Sequence, residues 1–287
     1  MAHKGLAVVT GASSGIGRET ARALASEGYR VLAAARRRDR LEALAQEFPG
    51  IAPYPVDFAD TAPTEVFCRN LAESPEPVSV LINNAGYAFR GVVEDVPSED
   101  IQRLFQVNLF SPIRVIQACL PGMRRARSGF IANISSVAGL LSFPCNGNYS
   151  ATKHALEAYT ESLRLEVAPF NIRVVAIRPG PIATEFSATA GHMTGDRMEH
   201  GPEDYRPIYQ AMTGFFAGLF GAMEVPGPEA VRDTILEALH DPSPRRGYPV
   251  GPMAGEYLPL RKRLTEEEWD RFVIERLAGK PDEAPDR

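Results

Sequence analysis

Along the first two-thirds of the chain, short apolar runs alternate with longer stretches in which apolar residues recur at helical spacing. Leu6–Thr10, Arg30–Ala35, 51–56, Val78–Asn83, 129–135 and 172–178 are strand-length runs with near-continuous apolar character. Between them the pattern predicts helices over 16–27, 39–47, 64–73, 98–110 and 149–167. The first carries Ile16, Ala21, Leu24 and Ala25 on one face and stops at Gly28. The helix opened by Ser98 is expected to continue, after an adjustment at Pro112, toward Met123. Strands without polar alternation, each followed by a helix, predict an α/β fold: a doubly wound parallel sheet covered on both faces. Right-handed crossovers then gather the loops after the strands at one sheet edge, where ligands bind in such folds.

The texture changes after Pro179-Gly180. An irregular polar stretch, 192–207, precedes an apolar stripe of Met212, Phe215, Phe216, Leu219, Phe220 and Met223. We read 185–228 as a substrate lid, with ordinary core as the rival reading of the stripe. A helix over 229–239 and a last short strand over 248–251 follow. The main domain is placed at 1–255, and 256–287 is read as an extension with a polar helix over Glu266–Leu277 and a frayed end.

With 287 residues, 44% of them hydrophobic, one large core is attainable. The net charge of −5 and the lack of a basic block interleaved with aromatics exclude a nucleic-acid footprint. Cys68, Cys119 and Cys145 form no CxxC pair, and no apolar run is long enough to span a bilayer. The opening Met-Ala-His-Lys-Gly-Leu has no secretory apolar segment, so a cytoplasmic protein is expected. Histidines 3, 154, 192, 200 and 240 make no HExxH or clustered spacing, so no metal site is expected. No GxSxG elbow surrounds Ser135 or Ser136, which argues against a serine hydrolase.

The chemistry concentrates in a few places. Tyr149 and Lys153 stand one helical turn apart, and an ammonium beside a phenol is expected to lower its pKa toward working pH. Such a phenol exchanges a proton with an alcohol oxygen. Ser136, at the end of the fifth strand, can hold that oxygen. Asn108 can hold a water behind Lys153; bonding to a neighbouring backbone group is its rival role. Near the N-terminus, Gly11, Ser13, Ser14, Gly15, Ile16 and Gly17 link the first strand to the first helix as GxxxGxG. Glycines there allow a pyrophosphate to approach the helix N-terminus. The second strand ends in Arg36-Arg37-Arg38 with no carboxylate until Asp39, which favours the 2′-phosphate of NADP over the bare ribose of NAD. Arg36 is the expected phosphate ligand, and Arg37 and Arg38 are read as a solvated face. Asp57 can accept from the adenine amino group or cap a turn. Asn83, after the fourth strand, braces the loop, borders the adenine ribose or forms a simple turn, and Ala85 and Gly86 beside it are expected at the cofactor.

Together these pieces resemble the classical short-chain dehydrogenase/reductase family. The likeness covers residues 4 to 185, with an ordinary family C-terminal region to 253. It implies a catalytic tetrad of Asn108, Ser136, Tyr149 and Lys153, with Lys153 also binding the nicotinamide ribose. It implies that Pro179, Gly180, Ile182 and Thr184 form the loop touching the nicotinamide, Ile182 through its backbone. Arg36 corresponds to the family's 2′-phosphate ligand; Ser14 stands where some NADP-dependent members have a basic residue. A looser likeness to 17β-hydroxysteroid and retinol dehydrogenases implies a lipophilic alcohol or carbonyl substrate. The family implies a homo-oligomer, a dimer in preference to a tetramer, joined by the helices near 99–123 and 149–167. An NAD-dependent alcohol dehydrogenase working oxidatively and a non-catalytic dinucleotide sensor or scaffold are the alternatives.

Overall fold

Along the first strand, β1 (Leu6–Thr10), successive side chains enter different cores: Ala7 and Val9 face one layer of helices, Leu6 and Val8 the other. This is why the strand reads as continuously apolar. The same holds for β2 (Arg30–Ala35), β4 (Val78–Asn83), β5 (Gly129–Ile134) and β6 (Ile172–Pro179). With β3 (Ile51–Pro55) and β7 (Gly247–Val250) they form a seven-stranded, wholly parallel sheet in the order β3-β2-β1-β4-β5-β6-β7. The order reverses between β1 and β4, the place where a crevice opens in a doubly wound sheet. The computed structural model describes residues 3–186, 190, 201–222 and 224–279.

One face of the sheet is covered by α1 (Gly15–Ser26), α2 (Arg38–Glu47) and α8 (Pro228–His240), through Leu24, Leu41, Leu44, Val231 and Ile235. The other is covered by α3 (Thr61–Ala72), α5 (Ser111–Ala126) and α6 (Gly147–Val167), through Phe67, Val115, Ile116, Leu163 and Val167. Before α5 come α4 (Ser98–Phe105) and a widened π turn over Gln106–Phe110. The expected adjustment near Pro112 therefore lies on its N-terminal side. Proline has no N–H and its ring crowds the carbonyl four residues earlier, that of Asn108, so the turn before it widens.

Past β6 come α7 (Arg206–Ala222), α9 (Pro252–Arg263) and α10 (Glu266–Leu277). Of the expected lid, 187–189, 191–200 and Met223 lie outside the described residues, as do the side chains of Leu219 and Phe220, and with them His192 and His200. Within α7, Met212 is buried and Phe215 and Phe216 pack against a third core with Leu141, Phe143, Tyr209, Tyr257, Trp269 and Phe272. The expected boundary at 255/256 falls inside α9, and α9 and α10 share one aromatic cluster with α7. Phe143 lies 5.2 Å from Phe215 and 6.0 Å from Trp269, centroid to centroid. Thr265 caps α10, accepting from Glu268 N while the Glu268 carboxylate accepts from Thr265 N. The frayed end expected over 280–287 lies outside the described residues.

Candidate active site

The carboxyl ends of β1, β2, β4, β5 and β6 open into one cavity of about 360 Å³. Gly11, Ser14, Gly15, Ile16, Arg36, Ala85, Gly86, Ser136, Tyr149, Lys153, Pro179, Gly180, Ile182 and Thr184 all line it. The structure thus brings together most of the residues singled out from the sequence.

The glycine turn is shaped by contact. Gly11 (φ 69°) and Gly15 (φ 52°) adopt left-handed angles that favour glycine. A Cβ on Gly17 would stand 2.4 Å from the Gly11 carbonyl oxygen, so α1 can approach β1 this closely only with glycine there. No side chain caps the first turn of α1; the Ser14 hydroxyl instead accepts from Arg37 Nη2 at 2.6 Å. Uncapped N–H groups at a helix start, beside a glycine cradle, fit the pyrophosphate of a dinucleotide. The residues present therefore suit such a cofactor.

At the chemical end, α6 places Tyr149 and Lys153 one turn apart, both buried. Lys153 Nζ donates to the Ile134 carbonyl at 2.8 Å and lies 5.8 Å from the Tyr149 ring centroid. The expected lowering of the phenol pKa by this ammonium is not found. Burial pushes Tyr149 up to about 12, opposed by a hydrogen bond with Ser136. Burial likewise pulls Lys153 down to about 8, opposed by the carboxylate of Glu157. Desolvation outweighs proximity for both groups. Ser136 ends the approach of β5; its hydroxyl accepts from Ala138 N at 3.1 Å and lies 3.4 Å from the Pro179 carbonyl.

Five expected site residues do not line the cavity: Gly17, set against Gly11, and four others. Ser13 accepts from Arg37 at 3.1 and 3.2 Å. Asn83 Nδ2 donates to Asn133 Oδ1 at 2.9 Å, bridging β4 and β5. Asp57 accepts from Ala59 N at 2.9 Å and pairs with Arg103 at 3.5 Å, the turn-capping role. Asn108, buried in the π turn, accepts from Tyr87 N at 3.1 Å and donates to Tyr87 O at 2.9 Å and Thr152 Oγ1 at 3.2 Å. Its amide is bonded to the backbone after Gly86, the rival role expected for it. A Cβ on Gly86 would lie 3.2 Å from Asn108 Oδ1 and 3.7 Å from Lys153 Nζ, so this clamp holds the loop against the lysine.

Other residues escaped the sequence reading. Asn84 donates to the Thr10 carbonyl at 3.0 Å, tying the β4 loop to the glycine turn. Arg37, expected on a solvated face, folds over the glycine turn and pairs with Glu185 at 2.8 Å; Arg40 reaches the same carboxylate at 2.6 Å. Phe186 lies 6.1 Å from the Tyr149 ring. Leu141, Phe143 and Met253 line the cavity beside Phe216, a residue of the expected lid stripe, over whose ring the Arg90 guanidinium stacks at 3.9 Å. Among the described residues no cluster of His, Cys, Asp or Glu could hold a metal ion, and no helix is long and apolar enough to cross a membrane.

The family model described as short chain dehydrogenase matches residues 5–195. A probable short-chain type dehydrogenase/reductase, VdlC of Helicobacter pylori, is 39% identical over 75% of this chain and 77% of its own. The 3-ketodihydrosphingosine reductase of Bacteroides thetaiotaomicron is 32% identical over 70% of this chain and 73% of its own. Among solved structures, a short-chain dehydrogenase from Sphingobium yanoikuyae in complex with NADPH superimposes with a TM-score of 0.71, at 25% identity, covering 99% of both chains. Sheet order, glycine turn and matched sequence agree: this chain belongs to the short-chain dehydrogenase/reductase family, oxidoreductases that use a nicotinamide dinucleotide.

Proposed function

We propose that the protein reduces a carbonyl group on a lipophilic substrate with NADPH, and that Tyr149 delivers the proton. The observation that carries this reading is the single cavity. Its lining includes the glycine turn, Arg36 and Arg37 together with Ser136, Tyr149, Lys153 and the apolar Leu141, Phe143 and Phe216. The bound nicotinamide supplies the hydride. The chain supplies the rest: Ser136 orients the carbonyl oxygen, and Tyr149, kept protonated by burial, gives that oxygen its proton. Lys153 places a positive charge beside the oxygen as negative charge grows there. Asn108 acts as a positioning residue through Gly86 and Tyr87. The arginines beyond β2 favour a 2′-phosphate, and the relative solved with NADPH supports that choice. A relative named for reducing a long-chain ketone supports the lipophilic substrate, as does the wall of Leu141, Phe143 and Phe216. Exposed Phe110, at the end of the π turn, and Leu165, on α6, support a dimer through these helices.

The test is to titrate the protein with NADPH and NADH, then follow oxidation of NADPH against aliphatic, aromatic, retinoid and steroid carbonyls. Tyr149→Phe should keep NADPH affinity within about twofold and lose at least about a thousandfold in kcat, on the scale of a lost general acid and oxyanion donor together. Turnover near wild type in that variant refutes the assignment.

A further inference from the structure

Three consecutive residues after β6 touch three parts of the site. The Thr184 side chain lies against Gly15, where an added Cβ would stand 3.2 Å from its Cγ2. The Glu185 carboxylate is shared by Arg37 Nη1 at 2.8 Å and Arg40 Nη1 at 2.6 Å. Phe186 faces Tyr149. The rest of the Arg37 guanidinium is spread over Ser13 and Ser14. This is the donor set, two guanidiniums and two hydroxyls beside the end of β2, that a phosphate would take. An internal carboxylate already sits on it.

We propose that Glu185 is a cofactor-specificity residue: its carboxylate occupies the arginines that receive the 2′-phosphate, is exchanged for that phosphate on binding, and thereby moves the segment carrying Phe186. The inference rests on the NADP reading above. Arg37, Arg40 and Glu185 are each 40–52% exposed, so their pairs are screened and weak enough to exchange. A dianionic phosphate accepting in bidentate fashion outcompetes a single carboxylate. A dinucleotide without the 2′-phosphate leaves the pairs in place. The two arginines thus meet an anion in either state, and the adenine end reports the cofactor's charge to the residue beside Tyr149.

The test compares full-length wild type with Glu185→Gln by titration calorimetry, using NADPH, NADH, 2′-AMP and 5′-AMP. NADPH and 2′-AMP should bind about three- to tenfold more tightly to the variant, the size expected from two exposed ion pairs, and NADH and 5′-AMP within about twofold of wild type. Equal tightening of all four ligands, or weaker NADPH binding, overturns the proposal; the latter would make Glu185 a support for Arg37. Phe186→Trp supplies a second readout, against the one native tryptophan, Trp269, buried in the third core. Its emission should change with 2′-AMP and not with 5′-AMP, and that change should vanish when Glu185→Gln is added; an unchanged response overturns the coupling. If wild type binds NADH as tightly as NADPH, the NADP reading fails. Glu185→Gln then still decides: a gained NADPH preference keeps Glu185 as the competitor, and none removes it.

Discussion

Gly17→Ala tests whether close helix approach builds the anion site. The new Cβ would lie 2.4 Å from the Gly11 carbonyl oxygen, 2.8 Å from its carbon and 2.5 Å from Asn84 Nδ2. Ordinary contact needs about 3.5 Å, so a gap of about 1 Å must open. Gly11 cannot yield freely: its own Cβ position is closed by Asn84 and Ala85, and Asn84 Nδ2 is bonded to the Thr10 carbonyl at 3.0 Å. The start of α1 must therefore move out. Overpacking costs about 1–3 kcal/mol, and the better helix propensity of alanine returns about 1 kcal/mol. Net stability should fall by no more than about 2 kcal/mol, a Tm shift of a few degrees. Dinucleotide binding should suffer more. Losing one charge-assisted hydrogen bond from the helix start costs about 1.5–3 kcal/mol, or about ten- to hundredfold in Kd. Thermal melting and calorimetric titration with NADPH separate the two effects. A folded variant with NADPH Kd within threefold of wild type would refute the argument.

The remaining predictions concern charge behind the catalytic end. Lys153 titrates near 8 and is charged below that pH, so carbonyl reduction should decline as pH rises through about 8. A kcat/KM profile level to pH 10 would show that its charge is not needed. Glu157 is buried and doubly bonded to Arg178 at 2.8 and 2.9 Å. Glu157→Gln should destabilise by about 3–5 kcal/mol, because Arg178 keeps an unpaired charge with little water; urea unfolding with a loss below about 1 kcal/mol would contradict this. Removing that carboxylate also removes the charge that raises the Lys153 pKa, so the falling limb of the pH profile should move below its wild-type position.

How far the sequence carries depends on whether the physics is local. Strands of this sheet are legible because burial on both faces removes polar alternation, as at Leu6–Thr10 and Val78–Asn83, whose ends are read to the residue. The glycine turn is legible because its contacts, Gly17 on Gly11, lie within one turn of chain. Arg37 is illegible for the opposite reason. Its partner Glu185 is 148 residues away, and nothing between them in sequence distinguishes it from its neighbours Arg36 and Arg38. The aromatic core around Phe143 fails in the same way, since Tyr257, Trp269 and Phe272 are sparse in a polar tail until α9 and α10 fold back on α7. Tyr149 and Lys153 are the intermediate case. Spacing on α6 fixes that they are neighbours, and the structure keeps them so. The sign of the phenol's shift depends on how much water the fold removes, and a cavity floor that buries both groups reverses what spacing alone implies. A phenol that keeps its proton can donate it to a carbonyl oxygen, the role proposed for Tyr149. The sign of that shift therefore rests on desolvation, a quantity the fold sets and the motif does not contain.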